Sequence, residues 1–331
     1  MTPPPLVDRM LAALETRLRE EVTVLNRPPF TEMHDMMAYH LGWLDPASSR
    51  GKRLRPLLTL LCCDAAGGEW EQALSAAAAI ELVHNFSLIH DDIEDESATR
   101  RGRPTVWKRW GLPQALNVGD AMYTLAFHVL NGLEREPIDP ARMRTCRRLV
   151  EDACLALTRG QYLDIAFEKR EHITLDEYLM MIGGKTAALL AASTAVGASL
   201  AADSPTMIHA YHSFGHHLGL AFQIEDDILG IWGNPEQTGK PAGDDLLHRK
   251  VTFPVLAARA ESSSFREMWN DHASPEDLLV EINRTTAQAA SRDASDRHTR
   301  IALESLDRAQ PAGDSGAYLA ELARGLLKRP T

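Results

Sequence analysis

Apolar residues along this chain recur at helical spacing. Between Val7 and Val24, Leu11, Leu14 and Leu18 fall three and four residues apart, which places them on one face of an α-helix. The segment 74–96, LSAAAAIELVHNFSLIHDDIEDE, predicts a longer helix, and 185–202 and 211–232 predict two more. No run of alternating β-branched residues bounded by turns occurs, so a sheet lacks its main signal. Breaks are expected where Pro and Gly gather: Pro28-Pro29, Pro46, 101–104, 137–140 and 239–243. No repeat, composition shift or Ser/Gly linker divides the chain. The pattern predicts one all-α domain over residues 1–331, with a polar, less informative tail from about Ser262.

Composition narrows the class. Apolar residues are 44% and charged residues 24%, the balance of a soluble globular protein, which excludes disorder, collagen and disulfide scaffolds. Against 46 Asp and Glu stand 35 Lys and Arg, a formal charge of −11. No nucleic-acid partner is expected, because such binding draws its affinity from neutralising phosphates. Any phosphate site needs a local island of cations. Cys62, Cys63, Cys146 and Cys154 lack C-x-x-C spacing, so they read as buried thiols in a reducing compartment rather than a zinc site. Asp8 and Arg9 interrupt the stretch that a signal peptide would keep apolar. The longest uncharged run, 186–202, falls short of the roughly 20 apolar residues of a membrane span. A cytoplasmic protein with no membrane span is expected.

The chemistry gathers in two acidic segments. HDDIEDE, residues 90–96, ends an apolar helix, and Asp91 and Asp95 stand four apart, on one face. Such neighbouring anions repel unless cations hold them, and hard divalent ions such as Mg²⁺ suit carboxylates at the mouth of a buried helix. FQIEDDILG, residues 222–230, places Gln223 on one face with Asp226 and Asp227. Basic residues lie beside both: RGKRLR at 50–55, Arg100, Arg101 and Arg103 after the first, Lys185 after a Gly pair, Lys240 and Lys250 after the second. In an acidic chain this arrangement fits diphosphates bridged by metal. A P-loop is excluded, because Leu179 stands where its first glycine belongs. His212, His216 and His217 have metal-compatible spacing but read as a solvated face, whereas His84, two turns before Asp91, is placed to reach a phosphate.

These segments together resemble the trans-isoprenyl diphosphate synthases, the polyprenyl synthetase family. GKRLRP at 51–56, LIHDDIEDESATRRGRPT at 88–105, GGKTAALL at 183–190, FQIEDDILG and TGKPAGDDLLHRKVTFPVL at 238–256 follow the family's motif order, over about residues 46–260. The resemblance implies a bundle of antiparallel helices around a deep cavity, usually a homodimer, with three Mg²⁺ ions per active site. It assigns Asp91, Asp95 and Asp226 to metal, supported by Asp92 and Asp227. Arg100, Lys185, Thr186, Gln223, Lys240 and Lys250 would hold the allylic diphosphate; Gly51, Lys52, Arg55, His84 and Arg101 would hold isopentenyl diphosphate. Gly230 departs from the pattern, standing where the second motif ends in aspartate.

The implied reaction breaks an allylic C–O bond, lets the isopentenyl alkene attack the carbocation, and passes the lost proton to the released diphosphate. Phe86 and Ser87, five and four residues before Asp91, lie about 7.5 and 6 Å back along the helix axis. By resemblance, an aromatic and a small residue there imply a twenty-carbon product, geranylgeranyl diphosphate, with farnesyl or geranylfarnesyl diphosphate as alternatives. A class I terpene cyclase would have no use for Gly51, Arg55, His84 and Arg101, and a silent subunit of a heteromeric synthase would be expected to lose acids from 91–95.

Overall fold

The computed structural model describes residues 4–44, 51–234 and 243–327. Their helices are α1 (Pro5–Thr23), α2 (Thr31–His40), α3 (Leu54–Ala65), α4 (Leu74–Glu94), α5 (Val106–Trp110), α6 (Leu112–Leu130), α7 (Pro140–Phe167) and α8 (Leu175–Ile182). After a π turn at Gly183–Ala187 follow α9 (Ala188–Ala201), α10 (Pro205–Trp232), α11 (Asp244–Leu247), α12 (Phe253–Glu261), α13 (Ser263–Asn270), α14 (Pro275–Ile282), α15 (Ala287–Ala309) and α16 (Gly313–Leu327). The fold is all-α. Among the described residues the sole sheet is a hairpin pairing Thr99 with Pro104 and Arg100 with Arg103. Its two central residues, Arg101 and Gly102, both have positive φ, at 52° and 73°, as a tight two-residue hairpin turn demands.

Contacts group the chain into two compact units. The first holds the described residues up to Val150, with Ser193–Ile208 and Pro311–Gly316; the second holds Glu151–Ala192, His209–Gln310 and the described residues from Ala317. In the first, α4 packs against α1, α3 and α6. Residues 75–83 of α4 are buried without a break. Small alanines there let neighbouring helices close on every side, so this half reads as apolar all round rather than amphipathic. On α1 the buried stripe is Val7, Met10, Leu14, Leu18 and Val22, a helical spacing.

In the second unit, Tyr178, Ile182, Ile224, Ile228 and Phe253 belong to one core cluster. Ile231, Val255, Phe265, Leu278 and Ile282 belong to another. The expected polar tail is therefore corrected: four helices follow Ser262, and Phe265, Leu278 and Leu306 lie at most 1% exposed. Few apolar residues sufficed there because those present recur at helical spacing, as Leu278 and Ile282 do on α14 and Ala302, Leu306 and Ala309 on α15. The uncharged run at 186–202 is also part of something longer. Helix Leu175–Ala201 is long and apolar enough to cross a membrane by composition, yet 61% of its most apolar window is buried in the fold. Its apolarity is that of a core helix.

Candidate active site

The first unit brings the first acidic segment and a cation cluster together. Residues 91–94 close α4, and Asp95 follows as its cap, its N–H still bonded to the Asp91 carbonyl at 2.9 Å. That bond keeps Asp91 and Asp95 one turn apart, as the spacing predicts. The hairpin then turns Arg100 back: its Nε donates to Asp92 Oδ1 at 2.7 Å and its Nη2 to Asp91 Oδ2 at 3.1 Å. The Asp91 side chain is 20% exposed and that of Asp92 2%. Burial pushes the Asp92 carboxyl up to about 6, with Arg100 pulling the other way. Arg100, assigned by resemblance to a diphosphate, thus also supplies counter-charge to the acids.

Four of the five residues expected at isopentenyl diphosphate are neighbours here. Arg55 Nη1 lies 3.3 Å from His84 Nε2. The Arg101 guanidinium lies over the bare Cα of Gly51, where a Cβ would come within 2.7 Å of Nη2. Burial, then the charges of Arg55, Arg101 and Arg100, hold His84 well below the usual imidazole range. His84 is therefore a neutral imidazole that accepts from Arg55. Lys52, the fifth, is exposed beside them. Arg53 does something else. It is 5% exposed, in left-handed backbone (φ 47°), and ion-paired to Glu15 at 2.7 Å and Glu81 at 2.8 Å. It fastens the basic loop to α1 and α4, leaving its neighbours to carry free charge.

The aromatic wall expected at Phe86 is larger than one ring. Phe86 meets Tyr123 of α6 edge-on at 4.7 Å, and Tyr123 meets Phe127 at 5.1 Å. Ser87 Oγ donates to the His84 carbonyl at 2.8 Å, a bond within its own helix.

The second unit holds the second acidic segment. Lys185 and Thr186 lie on the π turn, a geometry frequent at functional sites. A Cβ on Gly160 of α7 would fall 2.1 Å from the Lys185 nitrogen, so α7 and the turn touch backbone to backbone. Lys185 Nζ donates to Asp164 Oδ2 at 2.5 Å. Thr186 Oγ1 donates to Gln223 Oε1 at 2.8 Å, and Gln223 Nε2 donates to Asp227 Oδ1 at 3.2 Å. The other Asp227 oxygen accepts the Tyr178 hydroxyl and the Phe253 N–H. Burial pushes the Asp227 carboxyl up to about 7 against those donors. Asp226, the other acid of this pair, is half-buried. Lys250 is exposed, and Lys240 lies outside the described residues.

Gly230 now has a reason. A Cβ there would fall 2.0 Å from Asp245 Oδ2 and 2.5 Å from its Cγ. Asp245, 8% exposed, thus brings a carboxylate against the helix position where the family pattern places its last acid. Sequence reading passed over Asp245, Tyr178, Asp164 and Glu81, because each acquires its partner only through the fold.

A divalent metal suits these donors, which are hard carboxylate oxygens. Asp92 Oδ2 is buried without a hydrogen-bond partner. Among the described residues no three His, Cys, Asp or Glu side chains converge to hold an ion unaided. The histidines of α10 form no metal group: His212 is exposed as expected, whereas His216 and His217 are half-buried and His217 Nδ1 lies 2.9 Å from His298 Nδ1, an imidazole–imidazole hydrogen bond.

Comparison with known proteins identifies the family. The family model "Polyprenyl synthetase" matches residues 43–283. A geranylgeranyl diphosphate synthase of Mycobacterium tuberculosis is 42% identical over 85% of this chain and 80% of its own length. A (2E,6E)-farnesyl diphosphate synthase of Mycobacterium bovis is 46% identical over 70% of this chain, which spans 65% of that protein. A polyprenyl synthetase structure from Streptomyces coelicolor superposes with a TM-score of 0.87, 35% identical, covering 97% of this chain and 98% of that one. A polyprenyl synthase structure from Caulobacter crescentus, complexed with calcium and isoprenyl diphosphate, gives a TM-score of 0.81 at 28% identity, with 98% of each chain covered. The chain belongs to the polyprenyl synthetase family, the trans-isoprenyl diphosphate synthases.

Proposed function

We propose that this chain condenses an allylic diphosphate with isopentenyl diphosphate, in the presence of Mg²⁺, to give geranylgeranyl diphosphate. The observation that carries the condensation is the Gly51, Arg55, His84 and Arg101 cluster, a second anion site that a terpene cyclase does not need. Arg55, His84, Arg101 and Lys52 would bind isopentenyl diphosphate. Lys185, Thr186, Gln223, Arg100, Lys240 and Lys250 would bind the allylic diphosphate. Asp91, Asp95 and Asp226 would hold metal, with Asp92 and Asp227 behind them. When bound, the ions supply positive charge where the departing diphosphate becomes an anion. The chain's own cations hold that anion in place, and apolar walls keep water from the carbocation.

The product length rests on Phe86 and on the named geranylgeranyl diphosphate synthase relative. The farnesyl diphosphate synthase relative makes a fifteen-carbon product the second reading. Both units are proposed to form one prenyl-synthase domain, since the family match and helices α7, α9 and α10 run through both. A homodimer is proposed from the exposed apolar stripe on α7, where Leu155, Tyr162 and Ile165 are 52%, 71% and 38% exposed. A cytoplasmic location is proposed from the four buried cysteines, which form no disulfide. The test is incubation of pure protein with Mg²⁺ and each allylic diphosphate, with and without isopentenyl diphosphate. A twenty-carbon diphosphate is expected only with both substrates, and a cyclic product from the allylic substrate alone would refute the reading. Chelation should abolish turnover and Mg²⁺ restore it, and Asp91→Ala should cost several orders of magnitude in rate.

A further inference from the structure

Tyr178 carries no role in the reaction as described so far. It lies on α8, 1% exposed, and its hydroxyl donates to Asp227 Oδ2. The Phe253 N–H donates to the same oxygen at 3.0 Å. Two donors on Oδ2 hold the Asp227 carboxylate in one orientation, with Oδ1 turned to Gln223 as an acceptor. A side-chain amide can pair either way round, and its neighbours decide which end goes where. Facing an acceptor at Oδ1, Gln223 presents Nε2 at 3.2 Å, so its carbonyl must face the other way. There it takes the Thr186 hydroxyl at 2.8 Å. A relay of four side chains thus runs from the core of the second unit to the π turn.

We propose that Tyr178 is a positioning residue: by holding Asp227 it sets the direction of the Gln223 amide and, through it, of the Thr186 hydroxyl. The proposal rests on the reading of Gln223 and Thr186 as ligands of the allylic diphosphate. Tyr178 and Thr186 share no direct hydrogen bond, and the hydrogen-bonded route between them runs through Asp227 and Gln223. With the hydroxyl gone, Asp227 loses a donor, the amide can turn, and Thr186 loses its fixed direction.

The experiment is a double-mutant cycle on the active enzyme, with the Michaelis constants of both substrates as readout. Tyr178→Phe should raise the allylic KM about tenfold, the lower end for outer-layer residues that orient ligands. It should leave the isopentenyl diphosphate KM within about twofold, a split that general loosening of the fold would not produce. Thr186→Val should cost much less in the Tyr178→Phe background than alone, because the direction it relied on is already lost. Equal cost in both backgrounds, or equal rises in both Michaelis constants, would overturn the proposal. If circular dichroism shows Tyr178→Phe unfolded, Asp227→Asn, which also leaves Thr186 untouched, enters the same cycle with the same expected outcome. Wild-type turnover separates the two layers of argument. No prenyl transfer by the wild type sinks the functional reading, whereas additivity in an active enzyme sinks this inference alone.

Discussion

Gly230→Asp looks like a repair, since it restores the family's acid, but the geometry makes it damage. A Cβ at 230 meets Asp245 Oδ2 at 2.0 Å, and Asp245 is 8% exposed, so its carboxylate has little room to withdraw. Gly230→Ala isolates the steric part. Pushing Asp245 off its rotamer costs about 0.5–1.5 kcal/mol, and alanine in a helix returns about 1 kcal/mol, so the two nearly cancel. Gly230→Asp adds a second carboxylate against the first. Two unit charges about 4 Å apart interact by about 4 kcal/mol at an effective dielectric near 20, a ceiling that protonation of one acid lowers. A net loss of about 3 kcal/mol is expected. At about 2.1 cal/mol/K per residue for this chain length, that is a fall of about 4 °C in melting temperature. Thermal and urea unfolding of wild type, Gly230→Ala and Gly230→Asp measure it. The gap between the two variants should shrink as pH falls, because protonation removes the repulsion. A Gly230→Asp protein as stable as wild type at neutral pH would refute the reasoning.

Glu81→Gln should destabilise the first unit by about 1.5–3 kcal/mol, the worth of a charge-assisted hydrogen bond, since Arg53 keeps Glu15; urea unfolding reads it. Arg55→Ala and His84→Ala should raise the KM for isopentenyl diphosphate, and Lys185→Ala that for the allylic substrate. Equal effects of all three on both constants in steady-state assays would contradict the division. Phe86→Ala should lengthen the product and Ser87→Phe shorten it, as read by chromatography of the dephosphorylated alcohols. Because Tyr123 closes on Phe86 at 4.7 Å, Tyr123→Ala should lengthen it too, and no shift from any of the three would place the floor elsewhere.

The helices at 7–24, 74–96, 185–202 and 211–232 and both acidic segments were legible because their signals are local, whereas the four helices after Ser262 were hidden by their polar composition. Periodicity and a run of acids need no partner to be recognised. The cation cluster was half legible: GKRLRP announces charge, but not that Arg53 is spent on Glu15 and Glu81 while Arg55 turns to His84. That division depends on a left-handed backbone at Arg53, which no composition reveals. Gly230 shows the opposite limit. Read alone it is a missing carboxylate; beside Asp245, fifteen residues on, it is the space another carboxylate uses.

The two Asp-Asp pairs show why spacing alone assigns roles incompletely. Adjacent residues on a helix point about 100° apart, so both acids of a pair cannot face one ligand equally. One must turn toward the protein, and burying it is tolerable only if donors meet it. At 91–92 the inward acid is Asp92, 2% exposed on its side chain and bonded to Arg100. At 226–227 it is Asp227, 4% exposed and bonded to Tyr178, Phe253 and Gln223. In both pairs the second acid is the inward one, and the first, Asp91 or Asp226, is the more exposed, the side on which metal is proposed to bind. The inward acids then act as anchors whose donors, Arg100 and Tyr178, lie outside the acidic segments themselves. Each pair is thus an outward acid beside a braced inward one, and the identity of the brace becomes visible only once hairpin and helix have brought it within reach.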